Sequence, residues 1–270
     1  MKKILALTVV LSMAAPAGVF AGGKITAAGS TTVLPITQKA AEEFMKKNKD
    51  ADIVIRGGGS GVGVASIIDG TCDIAAASRA IKPAELEKAS KKGRDLVAHV
   101  IAMDGISHIL HPSNPVKGLT REQIKRLYTT RVKNWKEIGG PDLPVVVLSR
   151  DSASGTFEAF SELVLDKKKV RPDAIMQASN QGIASIVART PGAIGYVGLG
   201  YITDSVRAIS VDGVLPDRDA VVRNKYPIAR PLFLYTAGKP EGLVKEFIDF
   251  IKGPEGRKIV EEQGFVALKK

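Results

Sequence analysis

The sequence contains little cysteine and little histidine. Cys72 is the only cysteine in 270 residues, which excludes a disulfide framework and a thiolate metal cluster. The histidines, His99, His108 and His111, do not have the spacing of a helical zinc motif. We therefore expect a buried, inert thiol at Cys72, structural or surface histidines, and no metal.

Aromatic residues are also few, at 5% of the chain, and no basic run carries interleaved aromatics. This pattern disfavours nucleic acid as a partner. Lys and Arg together number 39 against 28 Asp and Glu, a formal net charge of +11. Such an excess draws small anions towards a cleft, but it serves solubility equally well, and composition leaves both interpretations open.

Long apolar runs are missing except near the start of the chain. Lys2 and Lys3 precede an apolar run over residues 4–15, and small residues follow it. This order is typical of a secretory signal peptide, so we predict that residues 1–21 are removed and that the mature chain is periplasmic. The run is short for a membrane anchor, and no cysteine stands at the cleavage site for lipid attachment.

Glycine and small hydroxyl residues follow three predicted strands, each time where a predicted helix begins. The three loops are Gly29–Thr32, Gly57–Gly63 and Arg150–Thr156. Free N–H groups and the helix dipole favour an anion at such a position, and Arg150 adds a fixed positive charge. One such loop is equally an ordinary serine cap or a surface turn, but three indicate a site built from convergent helix starts.

The Gly-rich loop matches neither common nucleotide motif. A Walker P-loop needs Gly-Lys-Ser/Thr, and no lysine follows Gly63. A dinucleotide fingerprint needs a sixth-position glycine counted from Gly59, where Val64 stands. We expect no nucleotide cofactor, and no other cofactor is indicated.

Strands alternate with helices along the chain, which predicts an α/β fold with mostly parallel sheets. Val33, Ile36, Ala40 and Phe44 define one apolar helical face. Thr120 and Gln123 predict a capping box, and a β run over residues 97–111 is interrupted at Asp104-Gly105.

Four motifs carry a resemblance to a known family. In chain order they are Gly29-Ser30-Thr31-Thr32, Gly-Gly-Gly-Ser60-Gly, Ala-Ala-Ala-Ser78-Arg79 and Arg150-Asp-Ser152-Ala-Ser154-Gly155-Thr156. They resemble the phosphate-binding (PstS-type) substrate-binding proteins of bacterial ABC transporters, over essentially the whole mature chain. The resemblance implies a type II periplasmic-binding-protein fold, in which two α/β lobes are joined by two hinge strands and hold the ligand in the cleft between them.

The resemblance also implies where the chain crosses between the lobes. We place the crossings near Met103–Gly105 and Ile228–Pro231. The first lobe is then residues 22–103 plus 229–270, and the second is residues 104–228. Closure would occur by hinge motion.

By the same resemblance, phosphate is held by neutral donors and by one or two arginines, with a bidentate contact from Arg150. The predicted ligand-binding residues are Ser30, Thr31, Thr32, Ser60, Ser78, Arg79, Arg150, Ser152, Ser154, Gly155 and Thr156.

The sequence departs from the best-known branch of the family at two positions. That branch has an aspartate after the third strand, which accepts the proton that phosphate carries and sulfate lacks, where this chain has Ser78-Arg79. It also has an acidic residue two positions after the arginine, where this chain has Ser152. Asp151 or Asp104 is a candidate acceptor, and a serine hydroxyl is a weaker one.

The function implied is high-affinity binding of inorganic phosphate and its delivery to an ABC transporter permease, by a monomer that is not an enzyme. One alternative is a binder of another tetrahedral oxyanion, such as sulfate, molybdate or tungstate. A secreted phosphatase with Ser154 or Ser60 as nucleophile is less favoured, because no histidine or lysine has the sequence context of an activating base.

Overall fold

The computed structural model describes residues 23–269, so the predicted signal peptide lies outside the described residues. The strands are β1 (Gly23–Gly29), β2 (Ala51–Arg56), β3 (Ile74–Ala77), β4 (Leu96–Leu110), β5 (Gly118–Leu119), β6 (Val146–Arg150), β7 (Ile175–Gln177), β8 (Ala193–Gly198), β9 (Arg207–Ala208), β10 (Ser210–Val211), β11 (Ala229–Ala237) and β12 (Val266–Ala267).

The α-helices are α1 (Leu34–Lys47), α2 (Ser60–Asp69), α3 (Pro83–Lys91), α4 (Arg121–Thr129), α5 (Gly155–Leu163), α6 (Asn180–Val187), α7 (Arg218–Val222), α8 (Gly242–Lys252) and α9 (Pro254–Glu262). Two 3-10 helices cover Trp135–Ile138 and Leu199–Tyr201.

Ten strands form one sheet, in the order β2-β1-β3-β11-β4-β8-β6-β7, with β12 and β9 also paired to β4. The outer pairs β1–β2, β1–β3, β6–β7 and β6–β8 are parallel. The central strands β11 and β4 are antiparallel to their neighbours. The sheet is therefore mixed rather than mostly parallel, because the strands at its centre connect the two lobes instead of following a β–α–β crossover.

The predicted interruption at Asp104-Gly105 is not present. β4 runs through both residues as one strand, but its neighbour changes there. Gly105 pairs with Ala229 of β11, whereas Ile106 pairs with Gly198 of β8. A single strand thus pairs with β11 over its first part and with β8 over its second part.

The helical predictions near the loops are confirmed. Val33, Ile36, Ala40 and Phe44 are all buried against the sheet, which gives α1 the apolar face that holds its first turn in place. Thr120 Oγ1 accepts a hydrogen bond from the Gln123 N–H, and Gln123 Oε1 accepts one from the Thr120 N–H, as the capping box requires.

Candidate functional site

The predicted loops converge at the centre of the fold. β1 leads into residues 30–32 before α1, β2 into residues 57–59 before α2, and β6 into residues 151–154 before α5. The first and third loops touch through the Thr32 and Thr156 hydroxyls, whose oxygens are 2.9 Å apart. Three helix starts therefore surround one group of hydroxyl side chains. We call this group the hydroxyl cluster, and its members are Ser30, Thr31, Thr32, Ser60, Ser78, Ser154 and Thr156.

Close approach of the second and third loops depends on glycine. Gly59 has φ +99°, and a Cβ placed there would lie 2.6 Å from the Ala153 carbonyl oxygen. The Gly61 N–H donates to that same oxygen at 2.9 Å. A side chain at residue 59 would be strained and would also push the two loops apart.

Arg150 is the most deeply buried charge among the predicted site residues, with only 1% of its surface exposed. Its Nε donates to the Gln177 carbonyl at 3.0 Å, and its Nη2 donates to the Ala178 carbonyl at 2.9 Å and to Thr31 Oγ1 at 3.2 Å. Among the residues that the structure describes, nothing accepts a hydrogen bond from Nη1. Burial lowers the pKa of Arg150, but a guanidinium keeps its charge at any physiological pH.

Ser60 and Ser78 join the same cluster from the ends of α2 and β3. The Ser78 N–H donates to Ser60 Oγ at 3.0 Å, and the two hydroxyl oxygens are 3.3 Å apart. Both residues are buried, as are Ser30 and Ser154. The predicted ligand-binding residues that carry hydroxyl groups thus come together from four segments, namely residues 30–32, Ser60, Ser78 and residues 154–156.

Ser154 is the N-cap of α5, since its Oγ accepts a hydrogen bond from the Phe157 N–H at 3.2 Å. Gly155 and Thr156 follow as the first two helical residues, whose N–H groups have no intrahelical acceptor. The ordinary interpretation of Ser154 as a cap is therefore correct, and it leaves the hydroxyl proton available for another acceptor.

Two predicted residues lie apart from the hydroxyl cluster. Arg79 forms a bidentate ion pair with Glu85, at 2.7 and 2.8 Å, and a second ion pair with Glu158 of α5. Its charge is thus balanced by carboxylates, as expected for a contact between lobes. Ser152 is exposed, because the turn closed by Asp151 Oδ1 and the Ala153 N–H turns its side chain outward.

The sequence interpretation missed Asn180 and Arg230. Asn180 is fully buried at the start of α6, a fourth strand–loop–helix unit, and its Nδ2 lies 3.0 Å from both Thr31 Oγ1 and Thr32 Oγ1. The order Gln177-Ala-Ser-Asn180 was the available signal, since a serine cap precedes a helix there as Ser154 does before α5.

Arg230 lies on β11 at the predicted crossing and forms a buried ion pair with Asp104, with 2.9 Å between Nη2 and Oδ2. Its Nη1 donates to the Ser78 carbonyl at 3.1 Å and the Gly155 carbonyl at 3.2 Å, so it links the loop after β3 to the start of α5. Burial raises the pKa of Asp104, and the neighbouring guanidinium opposes that shift. Two buried arginines against one buried aspartate leave the centre with a net positive charge, which favours an anion.

A surface cavity of about 470 Å³ lies beside α6 and is not the site we assign. Among the described residues that line this cavity, Arg189 is the one that carries a charge, and Thr31, Thr32 and Thr156 do not line it. Across residues 23–269 there is no cluster of three metal-ligating side chains. Within the same range, no helix combines the length and apolar character that crossing a bilayer requires.

The chain is similar in sequence to known proteins. A model of the PBP superfamily domain matches residues 14–255. The phosphate-binding protein PstS of Bacillus subtilis is 36% identical over 92% of this chain and 82% of its own length. The protein of the same name from Borreliella burgdorferi is 32% identical, with 91% and 90% covered.

The fold is also similar to those of solved structures. A putative phosphate ABC transporter substrate-binding protein from Clostridium perfringens, crystallised with bound phosphate, is 37% identical, with a TM-score of 0.84 and coverage of 92% of this chain and 100% of that one. An ABC-type phosphate transport receptor from Vibrio cholerae is 29% identical, with a TM-score of 0.75 and coverage of 90% and 100%. The family model, the level of identity and the fold agree, and the chain belongs to the PstS-type family of phosphate-binding proteins within the PBP superfamily.

Proposed function

We propose that the chain binds inorganic phosphate with high affinity outside the cytoplasm and delivers it to the permease of an ABC transporter. The observation that carries this proposal is the environment of Arg150, a buried cation. Its Nη1 has no acceptor among the described residues, and its Nη2 donates to Thr31 Oγ1. A buried N–H donor that stays unpaired costs free energy, and a tetrahedral anion between the helix starts would supply the acceptor.

The ligand-binding set that we propose is Ser30, Thr31, Thr32, Ser60, Ser78, Arg150, Ser154, Gly155 and Thr156. The exposure of Ser152 and the ion pairs of Arg79 favour other roles for those two residues. We keep the lobe boundaries at residues 22–103 plus 229–270 and 104–228 as a proposal, and β4 supports a crossing near there because it changes its neighbour two residues later, between Gly105 and Ile106.

The test is calorimetric titration of the chain without residues 1–21, after bound anion has been removed. We expect one phosphate per chain, a monomer on size exclusion, and phosphate-dependent stimulation of the ATPase of the cognate transporter in vesicles. Absence of phosphate binding by the folded protein would overturn the proposal.

We propose further that the protein is not an enzyme. Among the described residues, the hydrogen-bond partners of the Ser60 and Ser154 hydroxyls are two backbone N–H groups and the Ser78 hydroxyl, and none is a histidine or lysine side chain that would take the serine proton. Hydrolysis of p-nitrophenyl phosphate should therefore be undetectable, and turnover that is lost in Ser154→Ala would contradict this.

A further inference from the structure

The positive charge of the chain is concentrated in two short segments. Residues 125–137 and 166–173 together hold nine Lys and Arg side chains and three carboxylates, an excess of +6. Residues 23–269 as a whole hold 36 Lys and Arg against 28 Asp and Glu, an excess of +8, once Lys2, Lys3 and Lys270 are left out. Outside these two segments the described chain is therefore close to neutral.

The two segments lie side by side in the fold. Arg171 is buried, its N–H donates to the Tyr128 carbonyl at 2.8 Å, and its Nη1 donates to the Val132 carbonyl at 2.7 Å. Lys125 of α4 forms an ion pair with Asp166 of the other segment. The loop after α4 and the loop after α5 thus form one continuous surface.

Five cations on this surface have no carboxylate beside them. They are Arg126, Arg131, Lys133, Lys168 and Lys169, which are all exposed and which form no ion pair with any described residue. The other four cations of the two segments are paired. We call the five unpaired residues the basic face. Like charges on one surface repel one another, and an anionic partner would offset that repulsion.

The basic face is not part of the phosphate site. α5 begins at the hydroxyl cluster with Gly155, whereas Lys168 and Lys169 follow the C-terminal end of the same helix. A helix of this length extends for about 13 Å, which exceeds the Debye length of about 8 Å at physiological ionic strength. Charges on the basic face are therefore largely screened from a ligand in the hydroxyl cluster.

The surroundings of the basic face favour a lipid surface over nucleic acid. Tyr128 and Trp135, the aromatic residues of the two segments, are both buried, so they cannot stack on bases. Leu163, Ile175 and Met176 precede and follow the second segment, and their exposed fractions are 39%, 43% and 48%. Exposed cations flanked by exposed apolar side chains are typical of surfaces that bind anionic membranes.

A protein partner would need a surface of fixed shape to fit against. The adjoining cavity of about 330 Å³ does not offer one with free charges, because its basic residues Arg121 and Lys125 already pair with Asp212 and Asp166. The basic face consists instead of long side chains without fixed acceptors, which can adapt to a mobile layer of headgroups.

We propose that the basic face docks the protein on the anionic phospholipid headgroups of a bilayer, as a peripheral contact in which no helix is inserted. The benefit of this contact rests on the proposed function, because it would hold the phosphate-loaded protein at the membrane that contains its permease. The contact itself depends only on the charge and exposure of the five residues.

The first test is co-sedimentation of the chain without residues 1–21 with vesicles of phosphatidylglycerol and phosphatidylcholine in equal parts, beside vesicles of phosphatidylcholine alone. The protein should bind the mixed vesicles and not the neutral ones. An increase in salt from about 0.05 M to about 0.3 M should weaken this binding by about tenfold or more, because it screens the charges. No binding to the mixed vesicles at the lower salt concentration would overturn the proposal.

The second test is a chain that carries Lys133→Glu, Lys168→Glu and Lys169→Glu together. Each cation near an anionic surface contributes about fivefold to binding, so affinity for the mixed vesicles should fall by about a hundredfold or more.

The matched control is a chain that carries Lys49→Glu, Lys88→Glu and Lys239→Glu together. These three lysines are also exposed, they form no ion pair with any described residue, and their replacement changes the net charge by the same amount. Its affinity for the mixed vesicles should fall by less than about tenfold. Equal losses in the two variants would show that net charge rather than the basic face drives the contact, and would overturn the proposal.

Calorimetric titration with phosphate separates this inference from the proposed function. Both variants should bind phosphate within about threefold of wild type, because the substituted residues lie away from the hydroxyl cluster. Failure of the wild-type protein to bind phosphate would overturn the proposed function and leave the vesicle result standing. If the basic-face variant stimulates the transporter ATPase less than wild type does, although wild type does not bind the mixed vesicles, the basic face contacts a protein and the proposal is wrong.

Discussion

Replacement of Arg150 by methionine is the sharpest test of the site. The change removes the guanidinium and retains much of the side-chain volume. Nη1 carries two N–H groups, and a hydrogen bond to a charged partner contributes roughly 1.5–3 kcal/mol. Loss of both should weaken phosphate binding by about 3–6 kcal/mol, or roughly 10²- to 10⁴-fold.

The variant will also lose some stability, because the carbonyls of Gln177 and Ala178 lose their donor. Arg171→Met is the matched control. Arg171 is also buried and also donates to a backbone carbonyl, that of Val132 at 2.7 Å, but it lies outside the hydroxyl cluster. Calorimetry beside thermal melting separates the two effects. If Arg150→Met folds and binds phosphate within about threefold of wild type, the assignment is wrong.

Three further predictions concern residues around the site. Arg79→Ala should reduce phosphate affinity by less than about tenfold, because it removes an ion pair with Glu158 rather than a ligand contact, and titration in rising salt should reduce the difference from wild type. Gly59→Ala should weaken phosphate binding with little change in overall secondary structure, since the new methyl meets the Ala153 carbonyl; unchanged calorimetric affinity would contradict the close approach of the loops. His108 is buried among aromatic rings, and this burial lowers its pKa to about 3. Between pH 6.5 and pH 3 the unfolded chain therefore binds a proton at this histidine, whereas the folded chain does not. The free energy of unfolding should fall by up to about 4–5 kcal/mol over that range, and urea titrations of His108→Phe should show a shallower dependence on pH.

Much of the site could be predicted because its signals are local. A strand, a short hydroxyl-rich loop and a helix start occupy about ten consecutive residues, and the physics that aligns free N–H groups acts within that window. The position of Ser154 as a cap and the burial of the α1 face follow from the same short-range patterns.

Asn180 and Arg230 could not be predicted in this way. Each acts on a residue far away in the chain: Asn180 on Thr32, and Arg230 on both Asp104 and Thr156. Such pairings depend on how strands are ordered in the sheet, which hydrophobic periodicity does not encode. The two antiparallel strands at the centre were likewise missed as such, because a pattern of alternating elements carries no direction.

The position of β11 has a consequence for how this protein acquires its structure. Ala77 of β3 pairs with Phe233 of β11, so the first three strands leave an open edge until nearly the whole chain is available. Contacts this distant in sequence carry a large loop-closure cost and slow the search for the native state. The first lobe cannot be completed while the chain is still emerging, and an unfinished sheet edge is prone to pair with other chains. We therefore expect slow refolding with yields that fall at high protein concentration, and a truncation before residue 229 should not yield a stable first lobe.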